Sequence, residues 1–219
     1  MISVSSVEFL SSEGPLDHAA RASDTVAARW VHALTPADRH DLIRGFYMAE
    51  TLAGMAIEQA RTQLPAQYQA GLETQAADEA RHIEVFTRWL GAPPALPTPK
   101  MRQRQHIQWL MVLLVNELTG FCQFHLLARL LEEPAAIQAV QEIAADERTH
   151  IKRLLDWLEP LWNTRSAQPV GEFVDRFRRD LPGRMCQFFP RAALQPLREE
   201  LVNVIDALLQ PFSAHDLRA

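Results

Sequence analysis

Residues 134–160, PAAIQAVQEIAADERTHIKRLLDWLEP, decide the fold of this chain. Pro134 suits the first turn of a helix, where its missing N–H costs nothing, and Pro160 stands where such a helix would stop. Between them lie mostly Ala, Gln, Glu, Leu and Arg, which are strong helix formers. The run carries Glu147-Arg148-Thr149-His150. Residues three apart share a helix face, so this stretch presents a carboxylate and an imidazole side by side.

A second such motif, Glu79-Ala80-Arg81-His82, lies upstream in a helical run that starts at Pro65 and closes at Gly91. A single E-x-x-H is weak evidence, since it recurs by chance in helical proteins. Two further glutamates change its weight. Glu50 sits in GFYMAETLAGMAI, within a run over residues 35–64, and Glu117 sits in WLMVLLVNELTGF, within a run over 107–131. Each is a lone carboxylate in mid-helix apolar surroundings, where uncompensated burial costs several kcal/mol.

Spacing ties the four together. Glu50 and Glu79 are 29 residues apart, with the proposed turn at Leu64-Pro65 midway between them. Glu117 and Glu147 are 30 apart around Glu132, beside the Pro134 turn. In each antiparallel hairpin the carboxylates lie level, about 22 Å from the turn. The second half repeats the first at an offset of 67 or 68 residues. Four ionised glutamates in one core would repel each other beyond what folding tolerates. Two divalent cations neutralise them, and two imidazoles complete the ligand set. That donor set suits iron or manganese better than a closed tetrahedral zinc site.

Composition agrees with an all-helical protein. The 219 residues are 47% hydrophobic and 22% charged, with only 8 glycines and 2 tyrosines, and no window alternates as a strand would. Four long helices with two short connections, and one of about fifteen residues after Gly91, describe a four-helix bundle with a single crossover. Such a connection reaches roughly 50 Å, enough to run the length of the bundle. The expected organisation is an N-terminal segment over 1–34 with a short helix near 23–33, the bundle over 35–161, and a helical extension over 162–219. Within the extension, helices are expected at 171–181 and 194–209.

The pattern Glu, Glu-x-x-His, Glu, Glu-x-x-His on four helices resembles the ferritin-like di-iron carboxylate superfamily, over residues 35–161. The resemblance implies that Glu50, Glu79, His82, Glu117, Glu147 and His150 bind two iron ions, or manganese in one or both positions. Glu79 and Glu147 would bridge them, and Glu50 and Glu117 would be terminal or chelating. Asp78 and Asp146 match the D-E-x-R-H style of the oxygenase members, in which the aspartate holds the imidazole of the opposite motif. The four glutamates are the expected catalytic groups of an enzyme that activates O2 to hydroxylate, N-oxygenate or desaturate an organic small molecule or carrier-bound substrate.

Departures narrow the choice. Phe86 stands where ribonucleotide reductase subunits carry a radical tyrosine, and Gly120 where rubrerythrin-like proteins add a glutamate. Ile143 stands where arylamine N-oxygenases add a histidine, and no C-x-x-C rubredoxin-type module is present. The alternative function is iron storage or peroxide detoxification of the ferritin or bacterioferritin kind, against which the long C-terminal extension argues. With no flavin, haem or iron–sulfur motif in the chain, the reading requires an external electron donor.

Other features are weighed more plainly. A net charge of −5 disfavours nucleic acid as a partner. The 2 cysteines make no disulfide framework. The start, MISVSSVEFLSSEG, lacks a basic region followed by an apolar core, and the apolar run over 107–131 is broken by Asn116, Glu117, Gln123 and His125. A cytoplasmic protein without a membrane span, a small oligomer such as a homodimer, is the expectation. Phe46, Tyr47, Phe121 and Phe124 read as core packing ahead of a substrate pocket. Gly54 and Gly120 would leave space beside the ligands. His106 lies three turns from Glu117 and cannot join the same centre, and His125 reads as structural. Six arginines between Arg176 and Arg198 face one acid, Asp180, and read as a solvated face ahead of a docking surface.

Overall fold

The computed structural model describes residues 14–96, 103–162 and 167–213. Among them there is no strand. Seven α-helices run in chain order: α1 Pro15–Trp30, α2 Pro36–Arg61, α3 Ala66–Leu90, α4 His106–Leu130, α5 Pro134–Trp162, α6 Ala167–Phe188 and α7 Gln195–Leu209. Short 3₁₀ turns, Ala192–Leu194 and Gln210–Phe212, flank α7.

Local signals set most of the boundaries. Thr35 caps α2: its hydroxyl accepts from the Asp38 backbone N–H, while the Asp38 carboxylate accepts from the Thr35 N–H. This reciprocal pair satisfies two donors that a helix start leaves orphaned. Gly91 ends α3 at φ 69°, in the left-handed region that favours glycine. Two elements exceed the sequence expectation. α1 begins at Pro15, well before residue 23, because Pro15 opens the helix and Leu16, Ala19, Ser23, Val26 and Ala27 already form its buried face. α6 runs through Pro182 and past residue 181. A proline inside a helix forfeits one backbone bond, but Val174, Phe177, Leu181 and Met185 are buried along one face and hold the helix together across it.

Short connections force antiparallel neighbours, and α2 lies against α3 as α4 lies against α5. α2 also meets α4, and α3 meets α5, so the four long helices close into a bundle. Helices before and after these four complete it. α4 is apolar nearly all round, and α1, α6 and α7 cover the faces that α2 and α5 leave open. Among the described residues α4 alone is long and apolar enough to cross a membrane, and most of that window is buried inside the protein. One continuous apolar core runs from Leu16 to Phe212. Gly45 permits the closest approach of α2 to the end of α6: a Cβ there would lie 2.5 Å from the Phe188 carbonyl oxygen.

Candidate metal centre

The bundle brings the six expected ligands to one level in its core. α2 supplies Glu50, α3 supplies Glu79 and His82, α4 supplies Glu117, and α5 supplies Glu147 and His150. None is more than 3% exposed. They fall into two overlapping groups of four, Glu50, Glu79, His82, Glu147 and Glu79, Glu117, Glu147, His150, each with its donor atoms within 4.8 Å of one another. Glu79 and Glu147 belong to both. His82 Nδ1 lies 3.1 Å from Glu50 Oε2, and His150 Nδ1 lies 2.9 Å from Glu117 Oε2. Each histidine therefore faces the lone carboxylate of the other helix in its own hairpin, and the two shared carboxylates lie between the pairs.

The other ring nitrogens cross between hairpins. His82 Nε2 is 3.1 Å from Asp146 Oδ2, and His150 Nε2 is 3.0 Å from Asp78 Oδ2. An Nε2–H donated to the aspartate would fix each ring's orientation and leave Nδ1 free to serve as a ligand to a bound cation. Arg81 donates to both aspartates, 2.9 Å to Asp78 and 2.6 Å to Asp146, and so ties the two hairpins together at the rim. Its counterpart Arg148 pairs with Asp17 of α1 instead.

Burial and mutual repulsion favour the protonated form of three of the four glutamates. Burial, then the charge of Glu117, pushes Glu50 up to about 8. Burial and the neighbouring carboxylates raise Glu79 and Glu147 well above the usual range. Burial pulls Glu117 the same way, but the hydrogen bond and charge of His150 outweigh it and leave its carboxyl below the usual range. Burial opposes the charge on His150, yet Glu117 and Asp78 overcome it and lift the imidazole to about 9. Glu79 Oε2 and Glu147 Oε1 are buried without a hydrogen-bond partner among the described residues. Orphaned carboxylate oxygens in a dry core are costly. That these belong to the two shared residues fits cations lying between the groups.

Gln75 escaped the sequence reading. It is fully buried, its amide donates to Glu117 Oε1 at 2.7 Å, and its own Oε1 has no hydrogen-bond partner among the described residues. The signal that could have found it is positional. Tyr68, Leu72, Gln75, Glu79, His82 and Phe86 form one buried stripe on α3, and a lone amide on such a stripe needs a polar partner. The equivalent position before Glu147 is Ile143, so the centre is asymmetric.

Remaining candidates fall outside the cluster. Phe46, Phe86 and Phe124 pack together with ring centroids 6.0–6.5 Å apart, and Phe124 sets its edge against His82. Phe121 packs on His125 at 4.6 Å, and Tyr47 is buried in the same core. Burial pushes the Cys122 thiol up to about 12, which removes its nucleophilic character. His106 is exposed at the first residue of α4. Of the arginines between 176 and 198, Arg178 pairs with Asp206, Arg191 with Asp38 and Asp41, and Arg198 donates to the Phe189 carbonyl. Half of that positive stretch is thus engaged within the fold.

Comparison of the chain with protein-family models, with curated proteins and with solved structures finds no match.

Proposed function

We propose that this protein is a dinuclear non-haem metalloenzyme of ferritin-like architecture that activates O2 to oxidise an organic substrate. The observation that carries it is the pair of four-donor groups sharing Glu79 and Glu147, each with an orphaned buried oxygen. Four carboxylates in a core need compensating charge, and two divalent ions supply it where protons do not. When bound, two iron ions, or manganese in one or both positions, would supply the redox chemistry that reduces O2.

The chain's own groups divide the remaining work. Glu79 and Glu147, which belong to both groups, would serve both ions, and Glu50 and Glu117 would each serve one. His82 and His150 would offer Nδ1, with Asp146 and Asp78 positioned to accept from Nε2. Phe46, Phe86 and Phe124 exclude water on the His82 side, which strengthens every electrostatic interaction within the cluster. A cavity that touches Glu50 and Gly120 supports a reaction on an organic molecule ahead of iron storage. Electrons would come from a separate donor.

The test is O2 uptake by protein loaded anaerobically with iron(II). About one O2 should disappear per two irons, much faster than iron(II) oxidises in the same buffer, and iron added beyond the centre should gain no acceleration. Glu117→Gln keeps the shape of the side chain and removes a charge. It should retain the fold and slow uptake by about tenfold or more, since an amide is a poorer ligand. Uptake at the buffer rate by the unmodified protein would overturn the enzyme reading, and rapid oxidation of many irons per chain would favour storage.

A further inference from the structure

The C-terminal helix α6 does more than cover the bundle. Between α2, α4 and α6 lies a cavity of about 340 Å³, within the size range of small-molecule sites. At about 30 Å³ for the volume one water occupies in the liquid, it has room for roughly a dozen non-hydrogen atoms. Its inner end touches Glu50 and Gly120. Space is made by small residues on one face of α2, Ala49, Ala53 and Ala56. Its walls combine aromatic and aliphatic side chains, Trp109 from α4 and Phe177, Leu181, Met185 and Phe188 from α6, with the neutral polar Gln59, Asn116, Thr119 and Gln123.

Two guanidinium groups also line it. Arg104 lies over the Trp109 ring at 5.4 Å, and Arg184 lies over the Phe177 ring at 4.8 Å, so each cation is placed by an aromatic wall of the cavity itself. Arg184 is exposed and Arg104 half-buried, which sets them toward the mouth, opposite buried Glu50. Glu50 is the one carboxylate among the described residues that line the cavity, and it is engaged with His82. Two guanidinium groups, a wall of apolar and neutral polar side chains and a candidate redox centre at the buried end form a polarised site.

We propose that this cavity is the substrate site and that it takes an organic anion: a flat, apolar, aryl-sized body with a carboxylate at one end. The carboxylate rests on Arg184 and Arg104, and the opposite end of the molecule points to Glu50. This assignment rests on the reading of Glu50 as part of a dinuclear centre. It also gives the C-terminal extension a role, because α6 supplies one of the two cations and most of the aromatic wall.

Calorimetric titration tests it with 4-phenylbutyrate and 2-naphthylacetate, each set against its uncharged alcohol, on both the metal-loaded and the metal-free protein. The acids should bind at least about tenfold more tightly than the alcohols, the increment expected of a charge-assisted hydrogen bond. Arg184→Gln alters an exposed side chain, so the fold should persist. It should remove most of that difference while leaving the alcohols unchanged. Ala53→Phe fills the cavity and should abolish binding of all four, with circular dichroism verifying the fold. Equal affinity for acid and alcohol, an unaffected Arg184→Gln variant, or no binding of either acid would each overturn the assignment. Acid binding by a protein that takes up no metal on loading would sink the dinuclear reading and leave the anion site standing; two bound metals without acid binding would do the reverse.

Discussion

Glu147→Ala should yield a folded protein that holds neither metal ion, and Glu79→Ala should do the same. Each residue donates to both four-donor groups, so one substitution strips a ligand from two sites at once. Glu50→Ala and Glu117→Ala each touch a single group and should leave one ion bound. Asp78→Asn and Asp146→Asn leave the donor sets whole and disturb only the histidine that each aspartate holds, for a loss of about 10–100-fold in affinity. Stability should move in the opposite sense. Burial, then Glu117, Glu79 and Glu50, disfavours the ionised Glu147 carboxyl, so its removal relieves the cost of keeping it protonated in the metal-free core. The metal-free Glu147→Ala variant should melt at the same temperature as the parent or higher, and added iron(II) should stabilise only the parent. Metal analysis with paired melting curves checks this. A variant that retained one ion would show that Glu147 is not shared.

The pH dependence of stability should invert on metal binding. In the metal-free protein Glu50, Glu79 and Glu147 titrate above their unfolded values. The folded state then binds more protons than the unfolded chain, so stability falls as pH rises. For Glu50 the loss begins above the ordinary value of 4.5 and is complete past about 8, at up to about 1.4 kcal/mol per pH unit. His150 acts in the same direction: its contribution is present below 6.5 and lost as pH passes about 9. Glu117 acts oppositely, and its contribution is lost as pH falls through its lowered value. The metal-free protein should therefore be most stable near pH 5 and lose several kcal/mol by pH 9. Cations displace these protons, and their affinity rises with pH as the ligands deprotonate. With saturating metal, stability should rise over the same interval. Denaturant unfolding across pH, with and without metal, measures both curves; parallel curves would contradict the replacement of protons by cations.

The parts of this protein that were legible in its sequence share a physical cause: they depend on periodicity along one helix or on local punctuation. Pro36 and Pro134 mark helix starts because a fixed φ and a missing N–H suit the first turn, and Gly91 marks an end because it takes a left-handed φ at little cost. Glu50, Glu79, Glu117 and Glu147 could be placed at one level because rise per residue and turn position suffice to compute it. The pairing of Asp78 with His150 and of Asp146 with His82 was reachable only through the family resemblance, since it crosses between hairpins. Arg81 and Gln75 were missed for a related reason. Whether Arg81 turns to the rim aspartates or, like Arg148, to α1 depends on how neighbouring helices are rotated. α6 passed Pro182 because tertiary burial of Val174, Phe177, Leu181 and Met185 outweighed one lost backbone bond. The cavity was invisible, because it exists only where α6 lies across the small residues of α2.

The most direct test of the dinuclear centre is an anaerobic equilibrium titration of the unmodified protein with iron(II), followed by removal of free metal and elemental analysis. Two shared and two terminal carboxylates with two imidazoles require saturation at about two ions per chain, with protons released as they bind. Saturation at one ion or none would show that the buried cluster is not a two-metal site.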